Sequence, residues 1–512
     1  MSAVWIAGAF AVRTLIASRV PLLPDETYYW DWTRHLQAGY FDHPPGIALL
    51  IRGGTALFGN NRLGIRAGPA LCALVMHVSL TVLAVRLGNA RDGVRAAMIM
   101  TLLPLATLGL VLATPDAPLL ASASVALLCL ERALNAPVKS RASLCWWLLT
   151  GVALGIAFVS KYAAVLLPGA LVAACIVYAP LRVRLREPGP WLASIIALVC
   201  FAPVVRWNAN NDWISFRFQL NHGLSSAARG NPINRELEMI GGQLGLATPI
   251  LAVLMIVAVT YAILRAWRNR LEVPNNSAQA KRFAFAAIAT TITAFFAFSA
   301  WRHSVEANWP ALAYPAAIVL LATNADRWSR QRWWKGGTWF AIVVLLLAIV
   351  QVWSPVFPIA PPKDPIARAY GWDKLAGAVD EQRYGPFLDS TNTRWAAADR
   401  YQDASELAFH LHDQPQVFSL NLNSRSNQYD LWEGPADKIG SNDGLVLVLD
   451  ASAQGDSLAA LIGGLFAQSQ RGPVVQMMRQ AGVIGERRIW LYRNLKNVAA
   501  AKEVLHAPAS RR

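Results

Sequence analysis

Residues 239–264 read MIGGQLGLATPILAVLMIVAVTYAIL, a run of 26 residues without a charged side chain. A helix needs about 20 mostly apolar residues to cross the hydrocarbon core of a bilayer, so this run is predicted to be a membrane span. Because some junctions between such stretches are very short, about 11 to 13 transmembrane helices are expected, and a count of about ten also stays open. The eleven predicted segments are 2–22, 66–85, 94–113, 116–134, 144–160, 162–181, 190–206, 239–264, 283–300, 307–323 and 337–353.

The composition of the 512 residues agrees with a polytopic membrane protein. Hydrophobic residues make up 55%, charged residues 15%, and the mean hydropathy is +0.33. These values exclude intrinsic disorder, which requires few apolar residues and many charges. The formal net charge of +16 lies entirely within residues 1–353, among the apolar segments. It therefore indicates membrane orientation, and no nucleic-acid partner is expected.

The basic residues alternate between loops. Eighteen Lys and Arg residues lie in five loops, whereas the opposite loops are less basic for their length. Because positively charged loops stay in the cytoplasm, the N-terminus is predicted to be cytoplasmic, and an odd number of spans places the C-terminal part on the outer face. In a bacterium this corresponds to the inner membrane with a periplasmic C-terminal domain. The five basic loops are 86–95, 131–143, 182–188, 265–282 and 324–336.

Two domains are predicted, a transmembrane domain over 1–353 and an outer domain over 354–512. A proline-rich linker, VWSPVFPIAPPKDP at 352–365, begins the second domain and is typical of a stiff connector. Beyond it, a helix-like stretch around Ser405–Leu411 alternates with strand-like runs such as Gly444–Asp450. The expected fold is therefore mostly α, with a small C-terminal α/β domain. The five cysteines all fall in apolar stretches, so no disulfide framework or cysteine-based zinc site follows.

The predicted loop after the first span has the densest set of ionisable groups. Residues 24–46 read PDETYYWDWTRHLQAGYFDHPPG and include Asp25, Glu26, Asp42 and His43. Two pairs of such groups beside the bilayer suit general-base catalysis. The carboxylates could instead serve only as helix caps and dipole partners. A metal site built from the four residues is a further alternative, although their spacing matches no standard ligand motif.

Other predicted junctions between spans also have polar or charged residues. A single lysine at a helix end often only extends toward water, but junctional charges tend to be paired or functional. Together the junctions are expected to form a ring of acids and bases on one membrane face, able to hold an anionic lipid head-group while a carboxylate activates a nucleophile. The residues concerned are Asp116, Lys161, Tyr162, Arg302, His303, Glu306 and Asn308.

The order and spacing of these motifs resemble bacterial membrane glycosyltransferases of the C-type fold (GT-C), in the subfamily related to protein O-mannosyltransferases and lipid A aminoarabinose transferases. The resemblance covers nearly the whole chain. Each motif alone is weak. Their order and spacing make the resemblance strong for the family and weak for the substrate. The motifs that show it are 25–30, 40–46, 59–66, 114–116, 151–162, 203–208, 305–310, 400–409 and 425–432.

The resemblance implies transfer of one sugar from a polyprenyl-phosphate-linked donor to a glycolipid or lipopolysaccharide-type acceptor on the outer face of the membrane, with inversion. By motif, Asp25 matches the catalytic base, with Glu26 beside it and Asp42 as the second loop carboxylate. The aminoarabinose transferases have Glu-Lys where this chain has Asp42-His43, which casts doubt on aminoarabinose as the sugar. Lys161, Arg302 and His303 are the candidates to bind the donor phosphate.

The remaining assignments concern the groove and the alternatives. No metal and no cofactor is expected, since cations of the chain can stabilise the leaving phosphate. Transfer to protein hydroxyls stays open within the same class. A transporter or flippase of lipid-linked sugars is the alternative from another class, and a non-catalytic scaffold ranks last. The candidate acceptor or groove residues are His43, Asp116, Tyr162, Glu306 and Asn308.

Overall fold

The structure is a computed structural model that describes residues 1–224, 231–268, 277–325, 332–354, 356–357, 359–360, 364, 366–422, 425–480 and 482–496. Two compact units are present. The first, the helical unit, contains residues 1–19 and 36–353, and the second, the C-terminal unit, contains residues 20–35 with the residues after 353. Residues 20–35 therefore belong with the C-terminal part of the chain, although the sequence groups them with the spans. Part of the predicted linker 352–365 lies outside the described residues.

Helices build the helical unit almost alone, and every predicted span lies on helix. The bounds are α1 Ser2–Arg19, α3 Gly46–Phe58, α4 Arg62–Leu87, α5 Ala90–Leu102, α6 Pro104–Thr107, α7 Asp116–Asn135, α8 Arg141–Phe158, α9 Leu166–Val177, α10 Ala179–Arg182, α11 Pro188–Asn210, α12 Ile214–Leu224, α13 Pro232–Ala247, α14 Pro249–Arg268, α15 Ser277–Arg302, α16 Tyr314–Asn324 and α17 Arg332–Trp353. Helix α2, Pro24–Trp32, belongs to the C-terminal unit.

The number of spans can be compared with the eleven predicted segments. In the part of the chain that the structure describes, seven helices are individually long and apolar enough to cross a membrane, and bent helix pairs raise the number to ten. The predicted segment 307–323 corresponds to a shorter apolar helix, Trp309–Asn324. The chain is thus a multi-pass membrane protein with a mostly α fold, as predicted.

Several predicted spans are broken at identifiable residues. Segment 239–264 is not one helix: Thr248 has a φ of 62° and separates α13 from α14. Pro249 follows directly, and the residue before a proline is pushed out of the helical region. Segment 94–113 bends by 76° after Leu102, where Pro104 begins the next helix. Proline thus explains breaks that hydropathy does not reveal.

A buried ionic group connects three helices of the helical unit. Glu131 near the end of α7 is 1% exposed and lies 2.9 Å from Lys281 Nζ on α15. Its other oxygen lies 2.5 Å from Arg86 Nε on α4. A buried carboxylate with two cationic partners is satisfied, whereas an isolated one would be very costly. The group holds these helix ends in register at the basic loops.

The C-terminal unit is an α/β structure, as predicted. Its five-stranded sheet has the order β2-β1-β3-β5-β4, with β2, β1 and β3 parallel and β4 and β5 joined antiparallel. Strand β3 is the apolar run predicted from sequence. Its alternate residues pack into a core that includes Phe418, Phe466 and Tyr492. The bounds are β1 Arg394–Ala398, β2 Val417–Ser419, β3 Gly444–Asp450, β4 Phe466–Arg479, β5 Gly482–Leu495, α18 Trp372–Arg383, α19 Tyr401–His410, α20 Pro435–Lys438 and α21 Ala453–Gly463.

Candidate active site

Three predicted site residues meet at one point of the helical unit. Asp116 is the first residue of α7, and its Oδ1 lies 2.7 Å from Lys161 Nζ. Its other carboxylate oxygen accepts a 2.6 Å hydrogen bond from Asn308 Nδ2. The side chains of Asp116 and Lys161 are 10% and 12% exposed. We call these three residues the Asp116 cluster. It joins junctions that are 45 and 192 residues apart in the chain.

The local backbone explains how Lys161 is presented. Lys161 follows the end of α8 and has an extended conformation, so it separates that helix from the short 3-10 helix Tyr162–Val165. Gly46 donates its N–H to Val159 O at 2.7 Å, which ties this junction to the start of α3. A Cβ at Gly46 would lie 2.7 Å from that same oxygen, closer than any side chain tolerates. The glycine of the DHPPG motif is therefore required by a close approach of two backbones.

The segment around Asp42 is fixed by neighbours that the sequence analysis does not select. Ser215 Oγ donates to Tyr40 O at 2.6 Å, and Gln219 Nε2 donates to Asp42 O at 2.7 Å. Both donors lie on α12, in the stretch between the predicted spans 190–206 and 239–264. Asp42 itself is 4% exposed. A polar side chain on a helix that follows an apolar span is the signal that would have indicated these residues.

Tyr162 stands beside the same helices. Its hydroxyl accepts a 3.3 Å hydrogen bond from Asn208 Nδ2, and its ring packs edge-on against Phe216. Asn208 is fully buried near the end of α11, where an amide needs partners. Asn208 ends one of the motifs that show the resemblance, and the sequence assigns no role to it. The structure gives Asn208 a supporting position for Tyr162.

The remaining predicted site residues lie at the junction after α15. Arg302 is the last residue of α15, with its guanidinium 5.6 Å from the Phe298 ring, while Glu306 is exposed. His303 is 8% exposed, and burial lowers its pKa, with Arg235 and Arg302 acting in the same direction. The lowered pKa disfavours the protonated imidazole. Asn308 is the residue of this junction that reaches the Asp116 cluster.

Asp25 and Glu26 lie at the start of α2, in the C-terminal unit. Pro24 occupies the first position of the helix, which suits its fixed φ. Glu26 is fully buried, and its Oε2 accepts a 3.0 Å hydrogen bond from Leu23 N in a capping arrangement. This contact gives Glu26 a structural task at the helix end. Asp25 is partly exposed, in contrast to Glu26 and to the buried Asp31 of the same helix.

Helix α2 is held by contacts along its whole length within the C-terminal unit. Thr27 Oγ1 lies 3.1 Å from Ser405 Oγ on α19. The Tyr28 hydroxyl accepts a 2.8 Å hydrogen bond from Gln428 N, and the Tyr429 hydroxyl donates to Asp31 Oδ2 at 2.7 Å. The position of Asp25 is therefore determined by residues that are about 380 to 400 positions away in the chain.

A second ionic group lies behind α2, and we call it the Glu406 cluster. His410 Nε2 lies 3.2 Å from Glu406 Oε2, and His410 Nδ1 lies 2.7 Å from Asp373 Oδ1. Burial raises the pKa of Glu406 to about 7, and the nearby Glu26 adds to this. Burial lowers the pKa of His410, but its hydrogen bonds to Asp373 and Glu406 outweigh that effect and raise the pKa to about 9.

The predicted residues thus separate into groups. The structure brings together Asp116, Lys161 and Asn308, and it places Tyr162 and Asp42 near α12 of the same unit. Chemically, the Asp116 cluster offers a lysine whose ammonium is oriented by a carboxylate while retaining further N–H donors, which is the equipment for stabilising an anion. No metal ligand is needed for that task.

The fold defines the class. The chain has a fold of the GT-C type, as the resemblance predicted. Over 97% of its length it superposes on 98% of ArnT from Cupriavidus metallidurans bound to undecaprenyl phosphate, with a TM-score of 0.62 and 16% sequence identity. The apo state of the same protein matches with a TM-score of 0.63 and 15% identity, covering 95% of this chain and 97% of that one.

Two sequence comparisons agree with this class. Residues 42–207 match the family described as dolichyl-phosphate-mannose-protein mannosyltransferase. The chain is also 28% identical over 339 residues to the lipid A galacturonosyltransferase RgtD of Rhizobium johnstonii, an alignment that covers 66% of this chain and 65% of RgtD. The chain thus spans just under two thirds of that relative. The matched family region includes Asp42, Asp116 and Lys161 but begins after Asp25.

Proposed function

We propose that the protein is a glycosyltransferase that moves one sugar from a polyprenyl-phosphate carrier to a lipid A or lipopolysaccharide-type acceptor. The observation that carries this proposal is the Asp116 cluster on a GT-C fold, since it provides an oriented cation at the junction of three spans. Support for the acceptor comes from the similarity to RgtD, a lipid A galacturonosyltransferase. Support for the carrier comes from the similar fold of ArnT, which binds undecaprenyl phosphate.

Lys161 is assigned to the leaving phosphate. As the bond between the sugar and the phosphate breaks, negative charge grows on the phosphate oxygens, and a poorly hydrated cation stabilises this charge most effectively. Asp116 keeps the ammonium oriented, and Asn308 holds the second carboxylate oxygen. Arg302 and His303 remain candidates for a second contact with the phosphate.

Asp25 is assigned as the base. The acceptor hydroxyl has a high pKa, so a carboxylate must take its proton as it attacks the anomeric carbon. Among the carboxylates of residues 24–46, Glu26, Asp31 and Asp42 are buried, and Asp25 is the partly exposed one. A single in-line displacement of this kind inverts the anomeric configuration. We place the reaction on the outer face of the membrane, with the C-terminal unit in the periplasm.

The test compares the lipid A and lipopolysaccharide of cells that express the wild-type chain, Asp25→Asn or no chain, by mass spectrometry. We expect one sugar-sized mass to be missing from both the deletion strain and Asp25→Asn, because a carboxamide cannot accept the proton. Glu433→Gln is the matched control, since Glu433 is an exposed carboxylate of the same unit with its side chain 68% exposed. This control should keep the full glycan.

Two results would contradict the proposal. A deletion strain with unchanged lipid A and lipopolysaccharide would exclude these molecules as the acceptor. Accumulation of the complete lipid-linked sugar in the deletion strain, with Asp25→Asn behaving as wild type, would favour transport of the carrier. The mass that disappears also identifies the sugar class, because hexoses, uronic acids and amino sugars differ in mass.

A protein acceptor is the second candidate, and the match of residues 42–207 to the protein mannosyltransferase family favours it. Under this alternative the lipopolysaccharide of the deletion strain is unchanged, and glycopeptides lose one sugar instead. Mass spectrometry of periplasmic and membrane proteins from the same cells distinguishes the two acceptors.

A further inference from the structure

A crevice in the C-terminal unit lies where the order of its parallel strands reverses. From β1 the chain passes through α19 to β2 on one side, and then crosses to β3 on the other side of β1. In open α/β sheets, ligands bind outside the carboxyl ends of the strands at such a reversal. The crevice lies at that place, with Asp399 and Arg400 directly after β1 and Asp450 at the end of β3.

The size and lining of the crevice limit what it can hold. Its volume is about 180 Å³. This is less than the roughly 300 to 1,000 Å³ of sites for drug-sized ligands, so it suits a single small ring. Helices α19 and α21 begin beside it, and Arg400 and Gln454 on its rim are exposed. Leu458 provides an apolar surface within the same lining.

The charges of the crevice are arranged in alternating donors and acceptors. Arg400 pairs with Asp450, and Arg487 bridges the Asp450 and Asp403 carboxylates at 2.5 and 2.8 Å. The lining of the crevice thus has three carboxylates, those of Asp399, Asp403 and Asp450, and one guanidinium group, that of Arg400. A carboxylate only accepts hydrogen bonds and a guanidinium only donates them, whereas a sugar hydroxyl does both. Neighbouring hydroxyls of a sugar can therefore bond to both kinds of group, while the excess of carboxylates disfavours an anion.

We propose that this crevice binds one uncharged sugar ring of the acceptor glycan. That the ring belongs to the acceptor glycan rests on the proposed function. That the ligand is a sugar rests on the lining of the crevice. The ring lies with its C–H face toward Leu458 and its hydroxyls toward Arg400 and Asp450. The C-terminal unit would thereby recognise the acceptor separately from the transfer step.

Binding to the full-length protein in detergent tests the proposal. The probe is the core oligosaccharide released from lipopolysaccharide by mild acid, titrated by calorimetry into wild type, Arg400→Gln and Gln454→Trp. The first variant removes a charged donor and the second fills the rim at an exposed position. Each should weaken binding about tenfold or more, the change expected for a lost hydrogen bond to a charged group. Lys438→Gln, in an exposed ion pair away from the crevice, is the matched control and should bind like wild type.

Further arms separate the outcomes. Equal affinities of wild type, Arg400→Gln and Gln454→Trp overturn the proposal, and so does displacement of the oligosaccharide by inorganic phosphate, which would indicate an anion site. Binding of the free donor monosaccharide, with the same dependence on Arg400, supports the sugar chemistry and makes the donor its source. Asp25→Asn should bind the probe like wild type. A wild-type protein that transfers sugar but does not bind the probe would reject only the crevice, and a wild-type protein that binds the probe but transfers no sugar would reject only the proposed reaction.

Discussion

The two ionic clusters of the molecule differ in origin and in exposure. The Asp116 cluster joins residues from three junctions between apolar helices, and its lysine and aspartate keep about a tenth of their side-chain surface accessible. In the Glu406 cluster, His410 and Glu406 belong to one helix, and their side chains are 5% and 0% exposed. The Asp116 cluster can meet a ligand, whereas the buried pair of Glu406 and His410 acts on the fold, and only Asp373 of that cluster is exposed, at 77%. A group of charges in this protein is therefore informative about function only together with its accessibility.

The largest expected effect concerns the Asp116 cluster. Lys161→Gln should lower the rate of sugar transfer about a hundredfold or more, as observed when one donor to a developing anion is removed. The rate is measured with membranes that contain equal amounts of wild-type or variant chain. Lys335→Gln, an exposed lysine in the first turn of α17, is the matched control and should keep the wild-type rate.

The double variant Asp116→Asn/Lys161→Gln separates catalysis from folding. Removal of Lys161 alone leaves a largely buried carboxylate without its cation, which destabilises a protein. The double variant removes both charges, so its thermal unfolding should return toward that of wild type while the transfer rate stays low. Recovery of transfer in the double variant would show that Lys161 serves the fold and not the reaction.

The second prediction concerns pH and the Glu406 cluster. The pKa of His410 is raised to about 9, so the stability that this group contributes is complete below its ordinary pKa and is lost as the pH rises through 9. The raised pKa of Glu406 acts in the same direction at lower pH, since the folded state holds a proton that the unfolded state has released. The free energy of unfolding should therefore fall by on the order of 2 kcal/mol between pH 7 and pH 9.

Calorimetry of the full chain at pH 7, 8 and 9 checks this prediction. His410→Gln should flatten the decrease, because the variant has no proton to lose at this position. His412→Gln, whose side chain is 62% exposed, should keep the wild-type slope. An equal slope in wild type and His410→Gln would assign the pH dependence to other groups.

Sequence predicts the fold well because the apolar segments are long and contain few charged residues. The same information fails at Thr248, Leu103 and Tyr178, where backbone conformation and proline interrupt helices inside apolar stretches. It also predicts β3 to the residue, since a run of six residues without a polar side chain before Asp450, rich in valine and leucine, suits a buried strand. Hydropathy patterns thus predict where helices and strands lie, whereas a helix break depends on the backbone conformation at a single residue.

The candidate site is predicted only as a set of residues, not as an arrangement. Hydropathy places Asp116, Lys161 and Asn308 at helix ends, but their contact depends on how distant helices pack. Sequence also leaves open whether Asp25 and Glu26 are helix caps or catalytic groups, since their positions are alike and only burial distinguishes the two. Long-range contacts such as that of Asp31 with Tyr429 have no local signal at all.

The smallest expected effect tests that last contact. Tyr429→Phe removes the 2.7 Å hydrogen bond to Asp31, while Arg34 Nη1 stays 3.2 Å from the same carboxylate. Burial and the adjacent carboxylate hold the pKa of Tyr429 well above its ordinary value, so the hydroxyl remains a donor over the whole working pH range. Since Arg34 partly compensates, the free energy of unfolding should fall by about 1 kcal/mol.

Thermal unfolding of wild type and variant measures this loss. Tyr384→Phe, at a half-exposed tyrosine, is the matched control and should leave the free energy of unfolding unchanged. Well below the unfolding temperature the Tyr429→Phe protein should transfer sugar at the wild-type rate, because Ser405 and Gln428 still hold α2. A fall in rate that exceeds the loss of folded protein would contradict this. It would mean that the hydroxyl of Tyr429 sets the position of Asp25 through α2, and that buried contacts of the C-terminal unit also belong to the reaction.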